Sequence, residues 1–227
     1  MSTMECGGEI RMKKKTVIFD MDGVIFDTEN VIMNCWIQVA SKYHIEDIEH
    51  TFYQVVGMNV NETKRILLEN YGDDFPYDEF RSEYRSLFYE RIAKMGMPVK
   101  KGARELLSFL KINGYRIGLA SSTRYEVVKD ELSQAGLFDF FEVVVGGDMV
   151  SRSKPNPDMY LMACQKMNVL PEQAYAVEDS KNGVRSAHAA GMTVLHVPDV
   201  VPADEETTAL SYMTFKDLIE VRNYLAK

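Results

Sequence analysis

The chain has few cysteines, and their arrangement excludes two kinds of protein. Cys6, Cys35 and Cys164 are the three cysteines among 227 residues, and no two of them have the CxxC spacing of a metal or redox site. A small domain held by disulfides and a cysteine-based zinc site are therefore both excluded. So few and so widely spaced cysteines fit a reducing compartment, and we predict a cytoplasmic protein.

Long apolar runs are also absent. No segment approaches the roughly 18 consecutive apolar residues that cross a bilayer. The basic segment 11–15 precedes a partly apolar run, but Asp20 and Asp22 interrupt that run and no small-residue cleavage site follows it. We therefore predict neither a secretion signal nor a membrane partner. Residues 1–11 offer little to bury, and we expect them to form a disordered extension.

The sequence lacks an excess of positive charge. It has 34 acidic and 26 basic residues, a formal net charge of -8 and an isoelectric point of about 5.1. This balance argues against a nucleic-acid partner, because the phosphate backbone would be repelled. A small phosphorylated metabolite responds to local fields and stays compatible with the composition. The oligomeric state is left open.

Five short apolar segments predict buried strands, at residues 15–20, 116–121, 142–146, 174–179 and 193–197. Helical patterns lie between them, and two of these end at Gly114 and Gly136. Further helices are expected near Pro157, near Asn182 and over roughly Thr214 to Leu225. Strands that alternate with helices predict an α/β fold with a parallel sheet covered by helices on both faces.

The segment 28–98 interrupts this alternation. It contains amphipathic helical patterns and no convincing strand, and it is long enough for four helices. We predict an inserted helical cap domain over residues 28–98 and a core made of residues 12–27 and 99–227. The alternative is that these helices pack on the sheet as part of one domain.

Charged and polar residues follow four of the predicted strands. The first strand ends at Asp20, with Asp22 and Gly23 after it, and another ends at Glu178 and Asp179. Ligands of open parallel sheets bind at the carboxyl ends of the strands. Carboxylates gathered there repel each other unless a cation or a proton lies between them, and such an all-oxygen set suits Mg²⁺. The plainer alternative is that Asp20 and Asp22 form an Asx turn or a helix cap.

The other two strand ends carry candidate phosphate ligands. Ser121 can donate a hydroxyl hydrogen bond, and Gly23 and Ser122 lie where backbone N–H groups can approach an anion. The alternative for Ser121 and Ser122 is a helix N-cap. Lys154 stands before a Pro-Asn-Pro sequence whose prolines stiffen its backbone. A fixed positive charge at Lys154 could neutralise phosphoryl oxygens and lower the pKa of Asp20.

These four blocks together resemble the haloacid dehalogenase superfamily of phosphotransferases. The matching residues are Asp20-Met21-Asp22-Gly23-Val24, Ser121, Lys154-Pro155 and the run from Glu178 to Gly183. The insertion after the first strand is similar to the subfamily with a small helical cap, which includes phosphoglycolate phosphatase and β-phosphoglucomutase. The resemblance implies a Rossmann-like core with an inserted four-helix cap.

The resemblance also implies a role for each matching residue. Asp20 would be the nucleophile that forms an aspartyl-phosphate, and Asp22 the general acid and base. Mg²⁺ would be held by Asp20, Asp22, Glu178 and Asp179, with Glu178 bound directly or through water. Gly23, Ser121, Ser122 and Lys154 would bind the phosphoryl group. An acid at position 22 favours phosphate esters over carbon–halogen bonds.

Two departures from the mutase pattern favour a phosphatase. Related β-phosphoglucomutases generally have a histidine and an arginine where this chain has Ile32 and Val60. Lys64 and Arg65 could substitute for the arginine, although a solvated helix face is the preferred interpretation for both. We expect hydrolysis of a small phosphomonoester, either a sugar phosphate, a phosphoglycolate-like compound or a nucleotide-related compound. The alternatives are a sugar-phosphate mutase and a non-catalytic phosphate-binding protein.

Overall fold

A parallel sheet forms the centre of the fold. The computed structural model describes residues 14–56, 58 and 60–227. In this part of the chain the strands are β1 (Thr16–Phe19), β2 (Arg116–Ala120), β3 (Val143–Val145), β4 (Ala174–Glu178), β5 (Thr193–His196) and β6 (Met213–Thr214). Their order across the sheet is β3-β2-β1-β4-β5-β6, and every neighbouring pair is parallel.

Ten α-helices lie in the same described part of the chain. They are α1 (Thr28–Ala40), α2 (Ile48–Val55), α3 (Val60–Tyr71), α4 (Tyr77–Met95), α5 (Ala103–Ile112), α6 (Tyr125–Gln134), α7 (Asp158–Lys166), α8 (Lys181–Ala189), α9 (Glu205–Leu210) and α10 (Leu218–Leu225). None of these helices combines the length and the hydropathy that crossing a bilayer requires.

The sheet buries apolar side chains on both of its faces. Successive residues of a strand point to opposite faces, and in β1 this places Val17 and Phe19 in one apolar cluster and Ile18 in another. All three side chains are fully buried. The near-continuous apolar strands are thus explained by helices on both sides, and the predicted α/β fold class is confirmed.

Four helices, α1 to α4, follow β1 and form the inserted unit that the sequence predicted. This cap has its own apolar cluster. At its centre the indole of Trp36 meets the rings of Phe52 and Phe80 edge to face, with centroids 5.2 Å apart in both pairs. Such an edge-to-face arrangement is favourable beyond the area it buries. The boundaries at residues 28 and 98 stay a prediction.

Two adjacent linkers join the helical unit to the sheet. Phe26 and Val99 form an antiparallel bridge, and the Asp27 amide donates to the Pro98 carbonyl at 2.8 Å. The Lys100 amide donates to the Ile25 carbonyl, also at 2.8 Å. The chain therefore leaves and re-enters the core side by side, next to the end of β1.

The C-terminal prediction was wrong in one respect. The last helix begins at Leu218 rather than near Thr214, because the Asp217 side chain caps it by accepting a hydrogen bond from the Glu220 amide at 2.9 Å. Thr214 belongs to β6, where it pairs with His196 of β5. The short elements α9 and β6 were not predicted. The expectation for residues 1–11 lies outside the described residues.

Candidate active site

The strand register brings three of the predicted site residues to one edge of the sheet. β1 is flanked by β2 and β4, and Phe19 pairs with Leu119 on one side and Val177 on the other. Asp20, Ser121 and Glu178 are therefore neighbours at the carboxyl ends of three adjacent strands. The Asp20 amide donates to the Val177 carbonyl at 3.0 Å, which fixes its backbone beside β4.

Lys154 connects two of the carboxylates. Its Nζ lies 2.7 Å from Asp20 Oδ1 and 2.6 Å from Glu178 Oε1, and its side chain is only 6% exposed. The hydroxyl of Tyr160 also donates to Glu178 Oε1, at 2.6 Å. Glu178 is completely buried. These bonds hold the ammonium group of Lys154 directly beside the Asp20 carboxylate.

Burial and crowded negative charge raise the pKa of Asp20. Desolvation is the largest cause, Glu178 and Asp22 act in the same direction, and Lys154 opposes them, so that the pKa reaches about 7. Burial alone would lower the pKa of Lys154, but Asp20 and Glu178 raise it above its ordinary value. The site without a metal ion therefore has more buried negative charge than one lysine neutralises.

Asp22 has two threonine partners from different parts of the fold. Thr28, the first residue of α1, donates to Asp22 Oδ1 at 3.0 Å, and Thr123 donates to Oδ2 at 3.3 Å. Burial raises the pKa of Asp22, and the two threonine hydrogen bonds oppose that shift. A carboxyl group with a raised pKa is suited to giving up a proton near neutral pH.

Two glycines allow backbone to approach the carboxylates closely. Gly23 has φ +73°, and a Cβ at this position would lie 2.0 Å from Asp179 Oδ2. A Cβ at Gly183, in the first turn of α8, would lie 1.9 Å from Glu178 Oε2. Any side chain at either position would displace a carboxylate, which explains the glycine in each of the two motifs.

The acidic residues at this edge fit a metal ion. One ligand oxygen from each of Asp20, Glu178 and Asp179 lies within 4.8 Å of the other two. Asp179 Oδ1 is buried and has no hydrogen-bond partner among the described residues. Burial, together with Asp20 and Glu178, raises the pKa of Asp179 well above its ordinary value. Three oxygen donors with an unsatisfied buried charge are what a hard divalent cation requires.

The two serines differ in their placement. Ser121 is completely buried, and its Oγ accepts a hydrogen bond from the Thr123 amide at 3.1 Å. That bond starts a turn ahead of α6 and does not occupy the hydroxyl hydrogen of Ser121. Ser122 is exposed. The role predicted for Ser122 is therefore one for its backbone N–H rather than its hydroxyl, and both serine roles stay predictions.

Sequence reasoning missed several residues that contact the site. Tyr160, Thr28 and Thr123 donate to Glu178 or Asp22, and His196 contacts the Asp179 carbonyl at 3.1 Å through Nε2. A signal existed for two of them. Thr28 follows the hinge at which the cap begins, and His196 ends the strand next to β4. No sequence pattern indicates that Tyr160 points from α7 to Glu178.

The cap residues considered as phosphate anchors have partners within the cap. Lys64 is paired with Asp78 at 2.9 Å and Arg65 with Glu69 at 2.6 Å, and their side chains are 42% and 61% exposed. Ile32 packs at the edge of the apolar cluster of the cap, and Val60 is half exposed. These contacts agree with the preferred interpretation of Lys64 and Arg65 as a solvated helix face.

The chain combines a parallel α/β core, carboxylates at the carboxyl edge of its sheet and an inserted helical unit. Comparisons with known proteins show which class of hydrolases has this combination. The family model described as haloacid dehalogenase-like hydrolase matches residues 17–197. A phosphorylated carbohydrates phosphatase from Thermotoga maritima is 33% identical over 182 residues, which cover 78% of this chain and 82% of the relative. The chain belongs to the haloacid dehalogenase-like hydrolases.

Solved structures agree with this assignment. A HAD family hydrolase from Deinococcus radiodurans, with bound phosphate and sodium, has a TM-score of 0.81 and 26% identity, over 93% of this chain and 95% of that one. A β-phosphoglucomutase from Clostridium difficile has a TM-score of 0.67 and 22% identity, over 94% and 99%. The second likeness shows the fold alone. The prediction of a phosphoric monoester hydrolase in this superfamily is confirmed, since curated relatives of the family are phosphatases.

Proposed function

We propose that the chain is a Mg²⁺-dependent phosphatase that hydrolyses a small phosphomonoester through an aspartyl-phosphate on Asp20. The observation that carries this proposal is the placement of Lys154 Nζ, 2.7 Å from Asp20 Oδ1 and in a buried position. A nucleophilic carboxylate needs a neighbouring positive charge to meet a phosphate dianion. Lys154 supplies that charge beside the attacking oxygen.

Asp20 and Asp22 divide the two chemical steps between them. In the first step an Asp20 oxygen bonds to phosphorus while the ester P–O bond breaks, and Asp22 gives its proton to the departing alcohol oxygen. In the second step Asp22 takes a proton from water, whose oxygen bonds to phosphorus and releases Asp20 and inorganic phosphate. The raised pKa of Asp22 and its two threonine partners support this assignment.

The metal ion would be held by Asp20, Asp179 and the backbone carbonyl of Asp22, with Glu178 bound directly or through water. When bound, the cation would neutralise phosphoryl oxygens and keep Asp20 ionised. Glu178 Oε1 already accepts from Lys154 and Tyr160. Glu178 therefore has a second task, which is to hold Lys154 against Asp20. We keep Mg²⁺ as the proposed ion, since every candidate ligand is an oxygen.

Ser121, Ser122 and Gly23 complete the phosphate site in this proposal. The Ser121 hydroxyl lies just after the end of β2. The Gly23 N–H donates to the Phe26 carbonyl at 2.9 Å, so in this proposal Gly23 contributes the close approach of the backbone rather than a free N–H. The helical unit would cover the phosphate during attack, since its first helix supplies Thr28 to Asp22. A sugar phosphate is the favoured substrate class, because the Thermotoga relative acts on phosphorylated carbohydrates. A cytoplasmic location stays a prediction.

The test is a panel of phosphomonoesters offered to the purified protein with Mg²⁺, beside an Asp20→Asn variant. We expect phosphate release by the wild type and none above background by the variant. Release that survives in Asp20→Asn would contradict the role of the nucleophile. β-Glucose 1-phosphate converted to the 6-phosphate without phosphate release would establish a mutase instead. Phosphate binding without turnover of any ester would favour a binding protein.

A further inference from the structure

Lys100 connects three segments of the chain at the boundary between core and cap. Its amide donates to the carbonyl of Ile25, in the stretch that leads into the cap, at 2.8 Å. Its Nζ forms an ion pair with Asp199, in the segment after β5, and lies 3.6 Å from Asp27 Oδ1. One residue therefore joins the two linkers to each other and to a loop of the core.

The pair with Asp199 is largely shielded from water. The side chain of Asp199 is 9% exposed, and its Oδ2 is buried without a hydrogen-bond partner in the described part of the chain. Burial raises the pKa of Asp199, and Lys100 opposes this shift. An exposed ion pair contributes little, but the loss of one partner from a buried pair leaves the other charge uncompensated. The charge of Asp199 therefore holds the ammonium group of Lys100 in one place.

The segment that carries Asp199 is itself fixed on two sides. His196, at the end of β5, contacts the Asp179 carbonyl at 3.1 Å. Val200 packs against the apolar cluster of the cap. Residues 196–200 thus extend from the candidate metal site to the cap, and Lys100 is paired with a segment that contacts both.

Asp27 continues the connection toward the acid of the proposed mechanism. It occupies the N-cap position of α1, where an aspartate commonly accepts a hydrogen bond from the helix backbone, but its side chain accepts none. Instead, Asp27 Oδ1 accepts from the Asn30 side chain at 2.7 Å and faces Lys100. The next residue is Thr28, which donates to Asp22 Oδ1 at 3.0 Å. Only Asp27 and Thr28 therefore separate Lys100 from Asp22.

We propose that Lys100 is a positioning residue for proton transfer by Asp22. Its pairs with Asp199 and Asp27 fix the start of α1, so that Thr28 holds the Asp22 carboxyl group toward the departing ester oxygen. The inference rests on the proposed phosphatase function and adds to it a residue that touches neither the phosphate nor the candidate metal ligands.

The experiment compares two kinds of leaving group. An alkoxide is a poor leaving group and needs the proton of Asp22, whereas p-nitrophenolate is a stable anion and departs without one. The measured quantity is the ratio of kcat/KM for an alkyl phosphate to kcat/KM for p-nitrophenyl phosphate, which compares the step that releases the alcohol. The alkyl phosphate is the one that the wild type hydrolyses fastest among glycerol 3-phosphate, ribose 5-phosphate and glucose 6-phosphate. Hydrolysis of p-nitrophenyl phosphate alone would overturn the inference, because Asp22 would then donate no proton to an alcohol.

Three single variants test the role of the charge. A general acid contributes about a hundredfold or more, and a misplaced one loses part of this, so Lys100→Met should lower the ratio about tenfold. Lys100→Arg keeps the positive charge and should restore the ratio to within about threefold of the wild type. Lys101→Met, at the exposed neighbouring lysine, should leave both kcat/KM values unchanged. Equal losses on both substrates in Lys100→Met would overturn the inference, because they would show general support of the fold.

A double variant separates positioning from stability. Lys100→Met leaves the buried carboxylate of Asp199 without its cation and should lower Tm. Asp199→Asn added to Lys100→Met removes that charge, so Tm should recover toward the wild type while the substrate ratio stays low. A ratio that recovers together with Tm would refute the positioning role.

The two proposals fail in different ways. A folded wild type that hydrolyses no phosphomonoester, p-nitrophenyl phosphate included, would reject the phosphatase function itself. A wild type that hydrolyses alkyl phosphates, with an unchanged ratio in Lys100→Met, would reject only the role of Lys100.

Discussion

Asparagine in place of Asp20 should make the metal-free protein more stable at pH 8, even though the substitution abolishes the nucleophile. Asp20 is 8% exposed, and its carboxyl group lies among the carboxylates of Glu178 and Asp22. Because folding favours its protonated form, ionisation of Asp20 opposes folding. An asparagine has nearly the same shape and never ionises.

The size of the effect follows from the pKa. The pKa of Asp20 rises from the ordinary value of 3.8 to about 7 in the folded protein. At about 1.4 kcal/mol for each pH unit between those values, the wild type loses at most about 4 kcal/mol relative to the variant. Because the pKa of this acid is raised on folding, ionisation destabilises the folded wild type. The difference in the free energy of unfolding between variant and wild type is therefore absent below pH 4, grows as the pH rises and is complete above pH 7.

Thermal unfolding followed by circular dichroism in EDTA measures this difference. For a protein of this size about 4 kcal/mol corresponds to roughly 8–16 °C in Tm, so the variant should melt several degrees above the wild type at pH 8 and together with it at pH 4. Saturating Mg²⁺ should raise the Tm of the wild type far more than that of the variant. Equal Tm values at pH 8, or a gain that is the same at both pH values, would refute the argument from charge crowding.

Three further substitutions test other parts of the site and the surface beside it. Tyr160→Phe removes the 2.6 Å hydrogen bond to Glu178. It should lower the free energy of unfolding by about 1–2 kcal/mol, measured by denaturant unfolding, and lower kcat about tenfold, measured by steady-state kinetics. An unchanged kcat would mean that Lys154 does not need Tyr160 to hold Glu178 in place. Gly183→Ala should abolish activity, because its Cβ would lie 1.9 Å from the Glu178 carboxylate, and retention of more than a tenth of kcat would contradict the close approach. Arg185 and Lys181 lower the pKa of Glu206 from its ordinary 4.5 to about 2, so Glu206→Gln should lower Tm at pH 7. This deficit should shrink as the pH falls below 4.5 and vanish near pH 2. A deficit that persists at pH 2 would show that charge is not its cause.

The polar residues at the strand ends could be predicted to lie together because neighbouring parallel strands pair in a regular register. Once the first strand and the fourth are parallel neighbours, Asp20 and Glu178 must lie side by side at the carboxyl edge. The Lys154 loop needs only the additional assumption that a buried acidic cluster attracts a cation. The contacts in the structure agree with that assumption, since Lys154 bridges Asp20 and Glu178.

The supporting residues could not be predicted, because they depend on the angles at which helices pack. Tyr160 reaches Glu178 only because α7 lies against the sheet in one orientation, and no period in the sequence encodes that orientation. The position of His196 at the end of the strand next to β4 indicated that it lies near the site, but not that its ring contacts the Asp179 carbonyl. The Asp217 cap that shortens the last helix is visible in the sequence, but the pairing of Thr214 with β5 depends on tertiary structure.

The position of β1 in the sheet has a consequence for synthesis on the ribosome. Thr16 is paired with Arg116 and Ala174, which are 100 and 158 residues further along the chain. Among the described strands, β1 is translated first and is one of the two central strands of the sheet, so it cannot gain both neighbours until Ala174 has been translated. The apolar cluster of the cap consists of residues between 32 and 87, with Val200 packed against it, so most of this cluster can form well before that. Until then the nascent chain contains an apolar strand with two unpaired edges. We expect a chaperone to bind this segment, because exposed apolar strands are prone to aggregation.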